Sequence, residues 1–203
     1  MNTLHAMDER DLDPDPLRQF QRWFEEARDA AIEVPEAMAL ATAGPDGRPS
    51  VRMVLLKGAD ERGFDFYTNY ESRKSGELEA NAYAALLFHW QPLGRQVRVE
   101  GRVERIPADE SEAYFRTRPL GSRLAAWASP QSRPLSDRAE LERLYAEAAA
   151  RFPGENVPRP PHWGGFRLVP DAYEFWQHAA NRLHDRIHYE RGAAGWKRER
   201  LAP

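Results

Sequence analysis

A chain of 203 residues with 41% hydrophobic side chains carries enough apolar material for one domain of moderate size with a proper core. A formal net charge of −3 argues against a general nucleic-acid binder, whose footprint is a basic surface, and points local basic clusters toward a small anion. Cysteine is absent, which excludes disulfides, thiolate metal ligands and cysteine nucleophiles and fits a reducing cytoplasm.

In chain order, residues 1–14 are polar and acidic and read as a mobile tail ahead of a single domain over 15–203. They hold no apolar signal-peptide core, and no later stretch is long and apolar enough for a membrane span. Asp15 and Pro16 start a helix whose Leu17, Phe20, Phe24, Ala27 and Ala31 recur at helical spacing, a stripe for core packing. Residues 37–43 read as a strand, and 44–49 as a turn in which proline and glycine supply the required φ angles. Residues 51–57 and 64–69 read as the two strands of a hairpin. A short helix over 75–81 and an apolar strand over 84–90 follow.

Along 96–106, Gln96, Arg98, Glu100, Arg102 and Glu104 alternate with Val97, Val99, Gly101 and Val103, the pattern of a half-buried antiparallel strand. Residues 109–118 and 121–128 read as helices, the first with Tyr114 and Arg118 on one face. Ser136 or Asp137 caps a third, with Leu141, Leu144, Tyr145, Ala148 and Phe152 as its buried stripe. A proline-rich connector over 153–161 leads to strands at 165–169, 173–176, 182–190 and 196–201. Six to eight strands in hairpins with helices at the margins make a mainly β, antiparallel, closed or nearly closed barrel.

Four cations, Arg52, Lys57, Arg73 and Lys74, fall at the ends of the 51–57 and 64–69 strands. They are either solvated rim charges or the lining of a phosphate site, and residues 72–74 lead into a helix whose first N–H groups face an anion. If residues 182–190 are a strand, Arg182, His184 and Arg186 share one face. Such a row serves either as an exposed basic edge or as the seat of an anionic or π-rich ligand. His184 and His188 on a strand make no metal site, and the chain has no dinucleotide fingerprint, Walker loop or nucleophile elbow.

Together, Arg52-Met-Val-Leu-Leu-Lys57, Tyr67-Thr68, Ser72-Arg-Lys74, Gln96, Tyr114-Phe-x-x-Arg-Pro119, Ser122, Gln131-Ser132 and Trp176-Gln…Arg182-Leu-His-Asp-Arg186 resemble the pyridoxine/pyridoxamine 5′-phosphate oxidase family, over nearly the whole chain from residue 15. The resemblance implies an FMN-binding split barrel that works as a homodimer with FMN at the subunit interface. It implies that Arg52, Met53, Val54, Leu55, Leu56, Lys57, Tyr67, Thr68, Arg73, Lys74, Gln96, Gln131, Ser132, Trp176 and Arg186 contact FMN. Lys57, Tyr114, Arg118 and Ser122 then hold the substrate phosphate, and Arg182, Leu183 and His184 lie at the pyridine ring, Arg182 and His184 as the catalytic pair.

The implied reaction oxidises pyridoxamine or pyridoxine 5′-phosphate to pyridoxal 5′-phosphate, with dioxygen as final acceptor. Two alternatives stay open: a related flavin oxidase acting on a phenazine-type ring, and a non-catalytic pyridoxal 5′-phosphate carrier. The chain departs from the family at His178, where many members have glycine, and in lacking an Arg-Arg-x-Tyr within residues 1–24.

Overall fold

The computed structural model describes residues 7–203. Its first helix, α1 (Pro16–Asp29), starts as its sequence dictates: the Asp15 carboxylate accepts the Leu17 N–H at 2.9 Å and Pro16 fills the first turn. The strands are β1 (Ala37–Ala43), β2 (Pro49–Leu55), β3 (Gly58–Asp60), β4 (Gly63–Asn69), β5 (Tyr83–Trp90), β6 (Arg95–Arg105), β7 (Trp163–Gln177), β8 (Asp185–Gly192) and β9 (Gly195–Arg200). Between them lie α2 (Arg73–Ala80), α3 (Ala108–Thr117), α4 (Leu120–Ala128) and α5 (Arg138–Arg151). All strand pairs are antiparallel, in the order β2-β1-β5-β6-β7-β4-β3, with β8 on β7 and β9 on β8. The sheet curls into the half-barrel of the split-barrel class, as its residue pattern implies.

The strand β7 is the spine. Its first half pairs with β4, its second half with β8, and β6 runs along its other edge. Sequence reading divides it into two strands because Pro170 and Asp171 interrupt the pattern. In the structure they are a bulge in one continuous strand, where the register shifts opposite Glu100 and Gly101. A Cβ at position 101 would stand 2.0 Å from the Val169 carbonyl oxygen, so only glycine fits opposite this bend.

Three other expectations change. The strand at 51–57 does not pair with that at 64–69: β2 pairs with β1 through the 44–48 turn, where Gly47 has φ +74°, and β4 forms its hairpin with the short β3. The two expected partners meet only at one end, where the Lys57 N–H donates to Asp65 O at 2.8 Å. Residues 7–14 are packed against the C-terminal strands, unlike a mobile tail; residues 1–6 lie outside the described residues. Met7 and Leu12 are buried, Met7 N–H donates to Asp185 Oδ2 at 2.9 Å, and Arg200 Nη2 donates to Met7 O at 2.8 Å. Composition hid this because the segment's two apolar anchors are diluted by charged neighbours. The α5 stripe is also shallower than expected: Ala148 is fully buried, while Tyr145 is exposed.

Most of the buried apolar residues form one cluster from Met7 to Tyr189, while Phe115, Leu124 and Trp163 are buried outside it. Phe20 projects from α1 into its centre, with ring centroids 4.9 Å from Phe64 and 4.9 Å from Phe88. Its fractional exposure is 1%, so truncation leaves a cavity that the surrounding rings cannot fill. Phe20→Ala should cost about 3–5 kcal/mol, read as a lower urea midpoint at unchanged slope.

Candidate active site

A cavity of about 960 Å³ opens between the edge strand β2, the end of β4, the start of α2 and the α3–α4 pair. Arg52, Lys57, Arg73, Lys74 and Arg118 line it, and no Asp or Glu does. Val51, Met53, Val54, Leu55, Tyr67, Thr68, Tyr114, Ser122, Gln131 and Ser132 complete most of its wall. The fold thus gathers most of the sequence-predicted residues in one place. Leu56, just past the end of β2, is the exception within its run: it is buried in the core cluster.

Lys74 is buried at the floor. Its Nζ donates to Thr68 Oγ1 at 3.0 Å, Gln131 Oε1 at 3.0 Å and Ser72 Oγ at 3.2 Å, all neutral partners. Burial, assisted by the nearby Arg52 guanidinium, lowers its pKa to about 8, against a smaller opposing pull from Glu77. A buried ammonium with only neutral hydrogen-bond partners, in the first turn of a helix, suits a phosphate group.

Behind the wall lies a carboxylate with no part in the sequence reading. Burial alone would raise the Glu77 pKa, yet hydrogen bonds from Ser50, Thr42, Arg73 and Arg52 outweigh it and bring it to about 2. Oε2 accepts from Ser50 Oγ at 2.5 Å, Thr42 Oγ1 at 2.6 Å and Arg52 Nη2 at 3.0 Å, and Oε1 accepts from Arg73 Nε at 2.8 Å. The one signal in the sequence is the spacing of Arg73 and Glu77, four apart on a helix, which equally describes a surface pair.

On the opposite wall three rings stack. Tyr67 and Tyr114 lie 4.1 Å apart at 24°, and Tyr67 and Trp163 lie 5.4 Å apart at 13°. The Arg118 guanidinium sits 4.6 Å from the Trp163 ring centroid. Burial pushes the Tyr67 hydroxyl up to about 12, with Asp65 adding to it, and raises that of Tyr114, so both remain protonated hydrogen-bond donors at neutral pH. Trp163 was not foreseen; it follows a proline-rich connector with nothing nearby to mark it.

The remaining predicted residues do not line this cavity. Gln96, Trp176 and Arg186 are register partners across β6, β7 and β8 and form one row over the sheet. Arg186 donates from Nε and Nη2 to the two oxygens of Glu174, at 2.8 and 3.0 Å. Arg182, His184 and Arg186 are not on one strand face, because β8 begins only at Asp185. Residues Ala180–Arg182 form a 3₁₀ turn in which Asn181 and Arg182 take φ of 57° and 62°. Arg182 and Leu183 are exposed, while His184 tilts toward Trp176 with ring centroids 4.6 Å apart. His184 Nδ1 accepts the Ala179 N–H at 3.2 Å, which leaves its neutral form protonated at Nε2.

Among the described residues, no helix is long and apolar enough to cross a membrane. Residues 24–151 match the family model described as pyridoxamine 5′-phosphate oxidase. Residues 163–203 match the pyridoxine 5′-phosphate oxidase C-terminal dimerisation region. A pyridoxine/pyridoxamine 5′-phosphate oxidase from Rubrobacter xylanophilus is 61% identical over 99% of this chain and 93% of its own. One from Burkholderia vietnamiensis is 59% identical over 98% of this chain and 94% of its own.

Among solved structures, PhzG from Burkholderia lata, in complex with tetrahydrophenazine-1-carboxylic acid, superposes with a TM-score of 0.92 at 34% identity over the whole of both chains. A pyridoxamine 5′-phosphate oxidase-related, FMN binding protein from Nostoc punctiforme shares the fold, with a TM-score of 0.74 at 18% identity over 93% of this chain and 98% of that one. With two family models together covering most of its length and relatives near 60% identity, the chain belongs to the pyridoxine/pyridoxamine 5′-phosphate oxidase family.

Proposed function

We propose that this protein is an FMN-dependent oxidase that converts pyridoxamine or pyridoxine 5′-phosphate to pyridoxal 5′-phosphate, working as a homodimer. The observation that carries the reading is a cavity lined by cations and no carboxylate, with two separate groups of phosphate-type donors. Lys74, Arg73, Thr68, Gln131 and Ser132 surround the start of α2 and suit the FMN phosphate. Tyr114, Arg118 and Ser122, from α3 and α4, suit the phosphate of the substrate. A ligand with one phosphate needs only one such group.

The row of Gln96, Trp176 and Arg186, with Arg182, Leu183 and His184 beside it, is missing from this cavity. A second copy supplies it. In support, β2 exposes Val51 (68%), Met53 (64%) and Leu55 (41%) along its edge beside the cavity, an apolar surface that an interface would cover. The likeness of residues 163–203 to a dimerisation region supports the same arrangement.

When bound, FMN supplies the acceptor for a hydride from the substrate C4′ carbon, and its reoxidation by dioxygen yields hydrogen peroxide. The chain's own residues bind and orient. Lys74 and Arg73 fix one phosphate, Arg118 the other, and the aromatic wall excludes water from the rings between them. His184 is oriented by the Ala179 N–H, and Arg182, planar and permanently charged, lies over the substrate ring at C4′.

The likeness to PhzG favours a second reading, oxidation of a carboxylated phenazine precursor. The two phosphate-type donor groups and the higher identity to the named phosphate oxidases weigh against it. Anaerobic addition of pyridoxamine 5′-phosphate to the purified yellow protein should bleach its flavin spectrum, and air should restore it with peroxide release. A protein that binds the compound without bleaching is a carrier.

Lys74 attracts phosphate only when protonated. FMN affinity should therefore hold up to about pH 8 and fall above it, by up to about tenfold per pH unit. Lys74→Met should weaken FMN and flatten that fall. Riboflavin, which lacks the phosphate, should show neither effect; flavin fluorescence titration measures each case.

Arg182→Ala should leave the protein yellow and dimeric yet lower kcat/KM by roughly 30- to 1000-fold, a loss of about 2–4 kcal/mol of transition-state stabilisation. Arg182→Lys should recover little, since a point charge lacks the planar surface. Stopped-flow anaerobic flavin reduction isolates the step; normal reduction in either variant would make Arg182 a rim charge.

A further inference from the structure

We propose that Trp163 is the positioning residue that presents Arg118 to the substrate's phosphate with its donors unspent, an inference that rests on the reading of Tyr114, Arg118 and Ser122 as the substrate-phosphate site.

Arg118 is half-buried, and among the described residues no carboxylate forms an ion pair with it. Its Nη1 is buried without a hydrogen-bond partner. Burial lowers its pKa, the mark of a charge held away from water without a counter-ion. What holds it is aromatic: the guanidinium carbon lies 4.6 Å from the Trp163 centroid and 5.6 Å from that of Phe115. A ring face attracts a cation through its quadrupole but consumes none of the five N–H donors. A carboxylate in the same place would bind the guanidinium more tightly and occupy the fork that a phosphate needs. The Trp163 face therefore fixes the direction of Arg118 while leaving its hydrogen-bonding capacity for an incoming dianion.

Trp163 is itself immobilised. It is 6% exposed, and its backbone pairs with Asn69 in the β4–β7 ladder. The Trp163 N–H donates to Pro160 O at 3.1 Å, and its carbonyl accepts from Arg159 Nη1. Tyr67 stacks on it, and the Phe115 ring meets it edge-on at 5.0 Å and 66°. Tyr114, which shares the phosphate role, lies nearly parallel to it at 6.3 Å and 12°. The direct stacking partner of Tyr114 is Tyr67, at 4.1 Å, so the side chain that the indole itself orients is Arg118.

The test is steady-state kinetics of the FMN-loaded enzyme with pyridoxamine 5′-phosphate and with unphosphorylated pyridoxamine. Trp163→Leu should raise KM for the phosphorylated substrate by roughly 5- to 30-fold, the range for losing a desolvated cation–π contact, with most of the change in KM and not in kcat. The effect on pyridoxamine should be far smaller. Trp163→Phe, with a smaller ring in the same slot, should show the same KM-selective change at reduced size, and it serves where leucine unfolds the protein. Trp163→Leu combined with Arg118→Ala should be no worse in KM than Arg118→Ala alone, because the indole acts through the guanidinium.

Equal losses on both substrates, a fall in FMN content, or full additivity with Arg118→Ala would make Trp163 a packing residue and overturn the inference. Arg118→Ala alone separates the two levels. If it fails to distinguish the phosphorylated from the unphosphorylated amine, the phosphate-site reading falls and takes this inference with it.

Discussion

The wall of the cavity depends on one buried carboxylate. Glu77 draws Thr42 from β1, Ser50 and Arg52 from β2, and Arg73 from its own helix α2 onto two oxygens. Two of those elements, β2 with Arg52 and α2 with Arg73 and Lys74, carry cations toward the same space, and unopposed they would repel one another. A buried anion is expensive unless it is paired and hydrogen-bonded on nearly every lone pair, and Glu77 meets that condition. It stays ionised well below neutral pH, so the compensation holds through the neutral range. The charge sits behind the lining, where it steadies two guanidiniums without competing for a ligand in front of them.

The opposite wall and the floor solve the same problem without a direct ion pair among the described residues. Arg118 is held by ring faces, Lys74 by hydroxyls and an amide. Such neutral partners cost less to leave than an ion pair, so both cations keep most of their affinity for an anion that displaces nothing charged. Arg52 and Arg73 are already anchored by a carboxylate behind them when they meet a ligand, whereas Lys74 and Arg118 have no such pair to give up.

Much of this was legible in the residues, and the failures have physical reasons. Alternation along 96–106 marks β6 correctly, because one face of it is wholly aliphatic. The motif runs around Arg52, Lys74 and Arg118 come together at one cavity, although they lie in β2, in α2 and between α3 and α4. The hairpin partner of β2 was misjudged because apolar patterning marks strands but does not choose between a neighbour before and a neighbour after. A bulge at Asp171 made one strand look like two. The alternation of Arg182, His184 and Arg186 imitates a strand, and only the left-handed φ at Asn181 and Arg182 breaks it; neither residue is a glycine that would announce the turn. Trp163 and Glu77 were invisible for a shared reason: their roles arise from contacts with residues far off in sequence, Arg118 for Trp163 and, 25 positions away, Arg52 for Glu77.

The clasp between the two ends of the chain bears on synthesis. Met7 bonds to Asp185 across 178 positions and to Arg200 across 193, and Arg198 Nη1 reaches Leu12 O across 186. No nascent chain still lacking β8 and β9 contains both sides of that clasp. Met7 and Leu12 are therefore made long before the partners that hold them, and wait through the synthesis of the intervening chain. For the growing chain, that wait is the period in which a chaperone has most to cover.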